Sequence, residues 1–313
     1  MSRTIPVIDI SPFRDGTDPG SVVDAVLDSC LNTGFLVITG HGVPASVRSK
    51  ALEAADTFFA RPMSEKPQYI NPQRGSGYSE FANMALGRSQ GDDVPPDLRE
   101  EFRIRRVDII DWQSSLWNGD ESLRAALSDY YVAMDRLADT VMEIFALSLD
   151  RPVDYFRRFT DRHDSQLGVY HYPPMTQAPL PGQLRGGAHT DFGSLTLLMG
   201  SPSVGGLQVF TEGEWEDVPV VADSVVVNIG DLMQRWTNDR WHSTLHRVAN
   251  PADGDWDRAR YSLAFFHQPQ HDARIENLYE DSESKYPSVT SGEHFRQKMN
   301  AMVLAGADSP FLK

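Results

Sequence analysis

His189-Thr190-Asp191-Phe192-Gly193-Ser194-Leu195-Thr196-Leu197-Leu198 (HTDFGSLTLL) joins a histidine–carboxylate pair to an apolar run of β type. In an extended segment, residues two apart point to the same side, so the His189 imidazole and the Asp191 carboxylate can reach one ion. The apolar run is one of a series: residues 167–172, 194–199, 207–210, 224–229, 244–248 and 261–267 are all short, β-like and separated by turn residues. Such regular spacing predicts a barrel or jelly-roll sheet. Gly205-Gly206 and Glu212-Gly213-Glu214 suit tight turns between runs, and Asp253-Gly254-Asp255 suits a looser, solvent-facing loop.

His246 lies in one of these runs, where sheet pairing can return it to the HxD pair. Two imidazoles and a carboxylate occupy one face of an octahedral ion and leave the opposite face open, the donor set of non-haem Fe(II) sites. Zinc can bind the same three residues, so the ligands alone leave the metal open. A closed structural zinc site normally has four protein ligands, which disfavours a purely structural or regulatory metal protein. Arg260-Tyr261-Ser262 places a guanidinium and a hydroxyl on one face of the last run, a pairing that suits a carboxylate. Phe192, directly after the metal pair, is a candidate for a substrate pocket together with Phe102 and Phe266.

Upstream the texture is mixed. Residues 6–10 and 35–39 read as strands, while 22–31 and 44–60 repeat apolar residues at helical spacing. Residues 67–96, rich in Gly, Asn, Gln, Ser and Pro, predict a long loop region, and long loops in compact enzymes often cover sites. Leu123, Leu127, Tyr130, Met134, Leu137, Val141 and Phe145 step by three or four and predict one long core-facing helix. The fold class expected is α+β: a double-stranded β-helix (jelly-roll) core with an N-terminal mixed α/β region and flanking helices. Residues 1–119 form the N-terminal part and 120–313 the long helix, a catalytic core over 164–270 and a C-terminal segment.

Composition excludes more than it names. The formal net charge of −15 repels phosphate backbones and anionic lipid, so neither nucleic acid nor a membrane is an expected partner. Cys30 is the only cysteine, which rules out an intrachain disulfide and cysteine-based clusters. No charged leader precedes a long apolar run at residues 1–10, and no membrane-length apolar stretch occurs elsewhere, so a cytoplasmic location is expected.

In order along the chain, IPVIDIS (5–11), GFLVITGHGVP (34–44), FFARPMSEK (58–66), DLREEF (97–102), HYPP (171–174), HTDFGSLTLL, GGLQV, VVVNIGDLMQRWTN and STLHRV resemble the isopenicillin N synthase-like family of 2-oxoglutarate/Fe(II)-dependent oxygenases. The resemblance covers most of the chain. It implies that His189, Asp191 and His246 ligate iron, that Arg260 and Ser262 bind the far carboxylate of 2-oxoglutarate, and that Tyr172 helps to hold this co-substrate. It further implies a dioxygenase that uses Fe(II), 2-oxoglutarate and O2 to oxidise a small-molecule substrate, by default through hydroxylation, with release of succinate and CO2. Desaturation and cyclisation are variants of the same chemistry. No catalytic residue beyond the metal centre is expected, and the protein is expected to be a monomer or weak homo-oligomer in secondary metabolism such as antibiotic biosynthesis. An iron oxidase of the same fold that does not use 2-oxoglutarate is the alternative. Two departures stand out: Tyr170 and His171 replace the Asn and Tyr of many plant members, and the connection from His246 to Arg260 is long. Asn228 and Asp231 in NIGD read as turn-fixing residues and not as acid–base groups.

Overall fold

The computed structural model describes residues 4–71, 75–111, 114–200, 205–252, 256–279 and 282–306, with 302–306 described for the backbone alone. The expected loop at Asp253-Gly254-Asp255 lies outside the described residues. The strands in chain order are β1 (Val7–Asp9), β2 (Phe35–Thr39), β3 (Ile70–Asn71), β4 (Ser76–Ser79), β5 (Glu100–Arg105), β6 (Gln166–Tyr172), β7 (Gly186–His189) and β8 (Leu195–Gly200). They continue with β9 (Leu207–Thr211), β10 (Glu214–Asp217), β11 (Val225–Ile229), β12 (His246–Val248), β13 (Arg260–His267), β14 (Arg274–Ile275) and β15 (Val289–Thr290).

Two sheets form the core. The larger runs β1-β2-β11-β8-β13-β6-β5-β4-β3, and the smaller β10-β9-β12-β7. The α+β jelly-roll expectation therefore holds, and the N-terminal strands extend its larger sheet at both edges. Alternation along β13 shows how one strand serves two layers. Ala264 and Phe266 pack toward the smaller sheet with Tyr170, Tyr172 and Val248, whereas Leu263 and Phe265 join the large core under the helices. Phe265 meets Tyr131 of the helix Glu121–Ser148 edge to face, with ring centroids 5.1 Å apart. All seven apolar positions read from that helix's spacing are buried, and Asp120 caps it by accepting from the Leu123 N–H at 3.0 Å. The β9–β10 hairpin turns through Glu212-Gly213, both at positive φ, as a two-residue primed turn requires.

The stretch 67–96 departs from its expected loop: β3 and β4 lie in it, and β5 follows. Mixed charge in EEFRIR hides the alternation of β5, which pairs with β6 over six residues. That alternation also corrects the placement of Phe102. Arg103 faces the space between the sheets, so Phe102 turns the other way, into an aromatic cluster with Phe58 at 4.8 Å and with Tyr69 and Trp117 at 6.2 Å. Among the described residues it does not line the cavity between the sheets. Phe102→Ala is expected to cost about 3–5 kcal/mol in urea unfolding. A loss under about 1 kcal/mol would contradict this packed position.

Candidate active site

β7 and β12 are antiparallel neighbours, and their register sets His246 directly across from His189. The ring centroids are 4.3 Å apart. Each Nδ1 lies against the carbonyl two residues upstream, Gly187 at 2.8 Å and Thr244 at 3.0 Å. A carbonyl only accepts, so Nδ1 carries the proton and Nε2 keeps its lone pair for an ion. The two Nε2 atoms stand 3.8 Å from Asp191 Oδ1 and Oδ2 respectively. Those separations are too long for direct hydrogen bonds, and the three ligand atoms lie within 4.8 Å of one another, close enough for one ion to reach all three.

Asp191 arrives by a different route from the one its spacing suggested. β7 ends at His189, so the carboxylate stands beyond the strand and is held from the opposite sheet. Thr196 on β8 and Asn228 on β11 both donate to its Oδ2, at 2.5 and 2.8 Å. Its backbone carbonyl accepts from the Asp231 N–H at 2.7 Å. This close approach needs Gly230, where a Cβ would lie 2.2 Å from the Gly193 carbonyl oxygen. Asp231 in turn accepts from Thr190 at 3.1 Å and Ser243 at 2.6 Å, and pairs with Lys298 at 2.6 Å. Burial opposes ionisation of Asp191, but the hydrogen bonds donated by Asn228 and Thr196 favour its carboxylate, and the carboxyl lies below its usual range. Burial pushes His189 well below the usual histidine range, with repulsion from His246 adding to the shift, so its imidazole is neutral and free to bind metal.

Sequence reasoning left Asn228 and Thr196 out of the site. Asn228 sits inside a strand and anchors a candidate ligand, so it does not fix a turn. The available signal was a polar residue inside an otherwise apolar strand, LTLL for Thr196 and VVVNI for Asn228. His171 and His267 bond Glu100 and Ser194, at 2.8 and 2.6 Å, and remain outside the cluster.

A cavity of about 150 Å³ opens onto the three residues. Tyr172, Ser262, Phe192 and Phe266 line it. Arg260 lies behind Ser262, donates to its hydroxyl, and stacks on the Tyr172 ring at 4.9 Å, its cross-strand partner. Its Nε donates to the Gly205 carbonyl at 3.1 Å. Among the described residues no carboxylate pairs with Arg260. Burial pulls this guanidinium below its usual range, partly offset by Tyr172. A buried cation without a counter-charge is costly, and a ligand carboxylate would relieve that cost. The donor set therefore fits both a metal ion and an anionic co-substrate.

The comparisons with known proteins agree with this chemistry. The description "2OG-Fe(II) oxygenase superfamily" matches residues 163–269, and "non-haem dioxygenase in morphine synthesis N-terminal" matches residues 5–118. The chain is 35% identical to the 2-oxoglutarate-Fe(II) type oxidoreductase hxnY of Emericella nidulans, over 91% of this chain and 86% of that protein. It is 29% identical to the validamycin A dioxygenase of Streptomyces hygroscopicus subsp. limoneus, over 95% and 86% respectively. A full-length Neurospora crassa protein, solved in complex with alpha-KG and thymine, is similar with a TM-score of 0.83 and 30% identity, over 95% of this chain and 96% of that one.

The chain belongs to the 2OG-Fe(II) oxygenase superfamily. It is a 2-oxoglutarate/Fe(II)-dependent dioxygenase, with Fe(II), 2-oxoglutarate and O2 as cofactors and co-substrates and a small molecule as substrate. Among the described residues, no helix is long and apolar enough to cross a membrane. Because Asn228 orients Asp191, Asn228→Ala is expected to weaken Fe(II) binding about 10- to 100-fold with little loss of fold. Anaerobic metal titration checks this, and unchanged affinity would remove Asn228 from the site.

Proposed function

We propose that His189, Asp191 and His246 hold the iron, that Arg260 and Ser262 bind the distal carboxylate of 2-oxoglutarate with Tyr172 beside them, and that the protein hydroxylates a small metabolite with release of succinate and CO2. The observation that carries this reading is Arg260: a buried guanidinium, stacked and hydrogen-bonded on its own side of the cavity, with no acid among the described residues paired to it. Bound at the three ligands, Fe(II) supplies the redox chemistry that couples oxidative decarboxylation of 2-oxoglutarate to cleavage of a substrate C–H bond.

The protein's own contribution is positional. Arg260 and Ser262 offer a charge-assisted fork at a fixed distance from the metal strands. Tyr172 keeps the plane of that fork by stacking beneath it. Phe192 and Phe266 contribute apolar wall, which keeps the cavity dry and limits side oxidation by water-accessible routes. No side chain is needed as a base, since hydrogen removal belongs to the metal chemistry; Asp231 is engaged with Thr190, Ser243 and Lys298. The validamycin A dioxygenase likeness supports a place in natural-product tailoring.

Anaerobic addition of 2-oxoglutarate to the iron-loaded protein is expected to give a metal-to-ligand charge-transfer band. Arg260→Gln should weaken the 2-oxoglutarate titration at least about 10-fold, as loss of a charge-assisted pair requires, with Fe(II) affinity unchanged. Turnover that consumes O2 without succinate would overturn the proposal in favour of an oxidase that does not use 2-oxoglutarate.

A further inference from the structure

The wall beside β5 carries charge that the metal and co-substrate do not use. Arg99, just before β5, and Arg103 on it both line the cavity. Apart from His189, Asp191 and His246, they are the only ionisable groups of charged type among its described lining residues. Arg103 is already engaged, with Glu101 at 3.0 Å and Gln166 at 3.5 Å. Arg99 is 8% exposed, and although its backbone N–H donates to the Asp97 carbonyl at 2.9 Å, its guanidinium donates no hydrogen bond to any described residue. Two buried acids balance its charge from beyond hydrogen-bond reach, Asp97 at 3.9 Å and Glu101 at 3.7 Å. Asp97 spends its oxygens elsewhere, accepting from the Leu86 and Gly187 N–H groups at 3.1 and 2.9 Å.

The guanidinium of Arg99 is nonetheless held. It stacks over the Tyr170 ring at 4.5 Å, and that ring lies across Gly168, where a Cβ would come within 2.6 Å of the Tyr170 hydroxyl. β6 lies between β5 and β13, so Arg99 stands on one flank of its two tyrosines and Arg260 on the other. The remaining wall near β5 is largely apolar, with Met84 and Leu86 from the segment before it and Phe295 and Met299 from the C-terminal helix Ser291–Gly306, and its polar members are the uncharged Ser89, Gln166 and Gln268. A fixed guanidinium with free donors, at the edge of a largely apolar cavity, matches a single carboxylate better than a neutral carbonyl, because charge-assisted hydrogen bonds from its fork to an ionised acceptor are roughly twice as strong as those to a neutral one.

We infer that Arg99 sets the specificity of this cavity, and that the substrate is a small, largely apolar molecule bearing a carboxylate received by Arg99. The inference rests on the reading of the cavity as the oxygenase site, and it assigns the second guanidinium to substrate and not to 2-oxoglutarate.

Matched probes test it: phenylacetate against phenylacetamide, and 3-phenylpropanoate against 3-phenylpropanamide, titrated calorimetrically into anaerobic iron-loaded protein with and without saturating 2-oxoglutarate. The acids are expected to bind at least about 10-fold more tightly than the amides. Arg99→Gln should bring acid affinity down to that of the amide and leave 2-oxoglutarate affinity within about 2-fold, the spread expected for a residue outside the co-substrate's contacts. Equal binding of acid and amide by the unaltered protein, or an acid preference that survives Arg99→Gln, overturns the inference. So does an equal loss of 2-oxoglutarate affinity, which would give Arg99 to the co-substrate. Should Arg99→Gln not fold, Arg99→Lys decides: it keeps the charge but not the fork, so acid affinity should fall about 3- to 10-fold with the amide unchanged, and equal change in both overturns the inference. A protein that fails to bind 2-oxoglutarate in the parallel titration contradicts the proposed co-substrate role of Arg260 instead, while the acid–amide comparison without 2-oxoglutarate still reads Arg99.

Discussion

The pairing of β7 with β12 is the constraint on which the site depends. Its register puts two imidazoles side by side, with each Nδ1 tied to its own backbone, so neither ring has freedom to turn away. A slip of one residue would send one ring to the other face of the sheet and destroy the cluster. The third member, Asp191, belongs to neither strand and is fixed by Thr196 and Asn228 of the opposing sheet. The cluster therefore reports on the packing of the two sheets as well as on the pairing within one. A jelly roll whose layers shift moves the carboxylate relative to the imidazoles.

The same two-layer geometry organises the anion chemistry. β6 stands between β5 and β13 in the large sheet, and its inward residues Tyr170 and Tyr172 each support a guanidinium. Both arginines are buried in an acidic chain whose long-range field disfavours anions. Recognition of a carboxylate here depends on short-range, desolvated contacts, where a charge-assisted hydrogen bond is strongest. On the proposed reading, that arrangement would let the cavity accept two anionic groups, the co-substrate and the substrate, on separate sides without using surface charge.

Much of this was legible in the sequence because it is periodic or local. The jelly-roll strands, the long helix and the shared face of Arg260 and Ser262 follow from periods of two and 3.6 residues, which burial enforces. The HxD pair with His246 stood out through residue type and strand context. Less legible was whatever depends on contact between distant segments. Phe102 read as pocket because β5, with its run of charges, does not display its alternation, and one step along that strand exchanges core for cavity. Asn228 and Thr196 acquire their role only when Asp191 crosses from the other sheet. The part played by Phe295 and Met299 depends on a C-terminal helix whose amphipathic pattern is weak in the sequence, and Arg99 emerges only from an account of which donors lack acceptors.

The most direct test of the central claim follows oxygen atoms. The iron-loaded protein is supplied with 2-oxoglutarate and O2 labelled with heavy oxygen, and succinate is examined by mass spectrometry. An iron held by His189, Asp191 and His246 and coupled to 2-oxoglutarate predicts one labelled oxygen atom per succinate, and no succinate from the His189→Ala protein. Unlabelled succinate, or equal yield from that variant, would contradict the account.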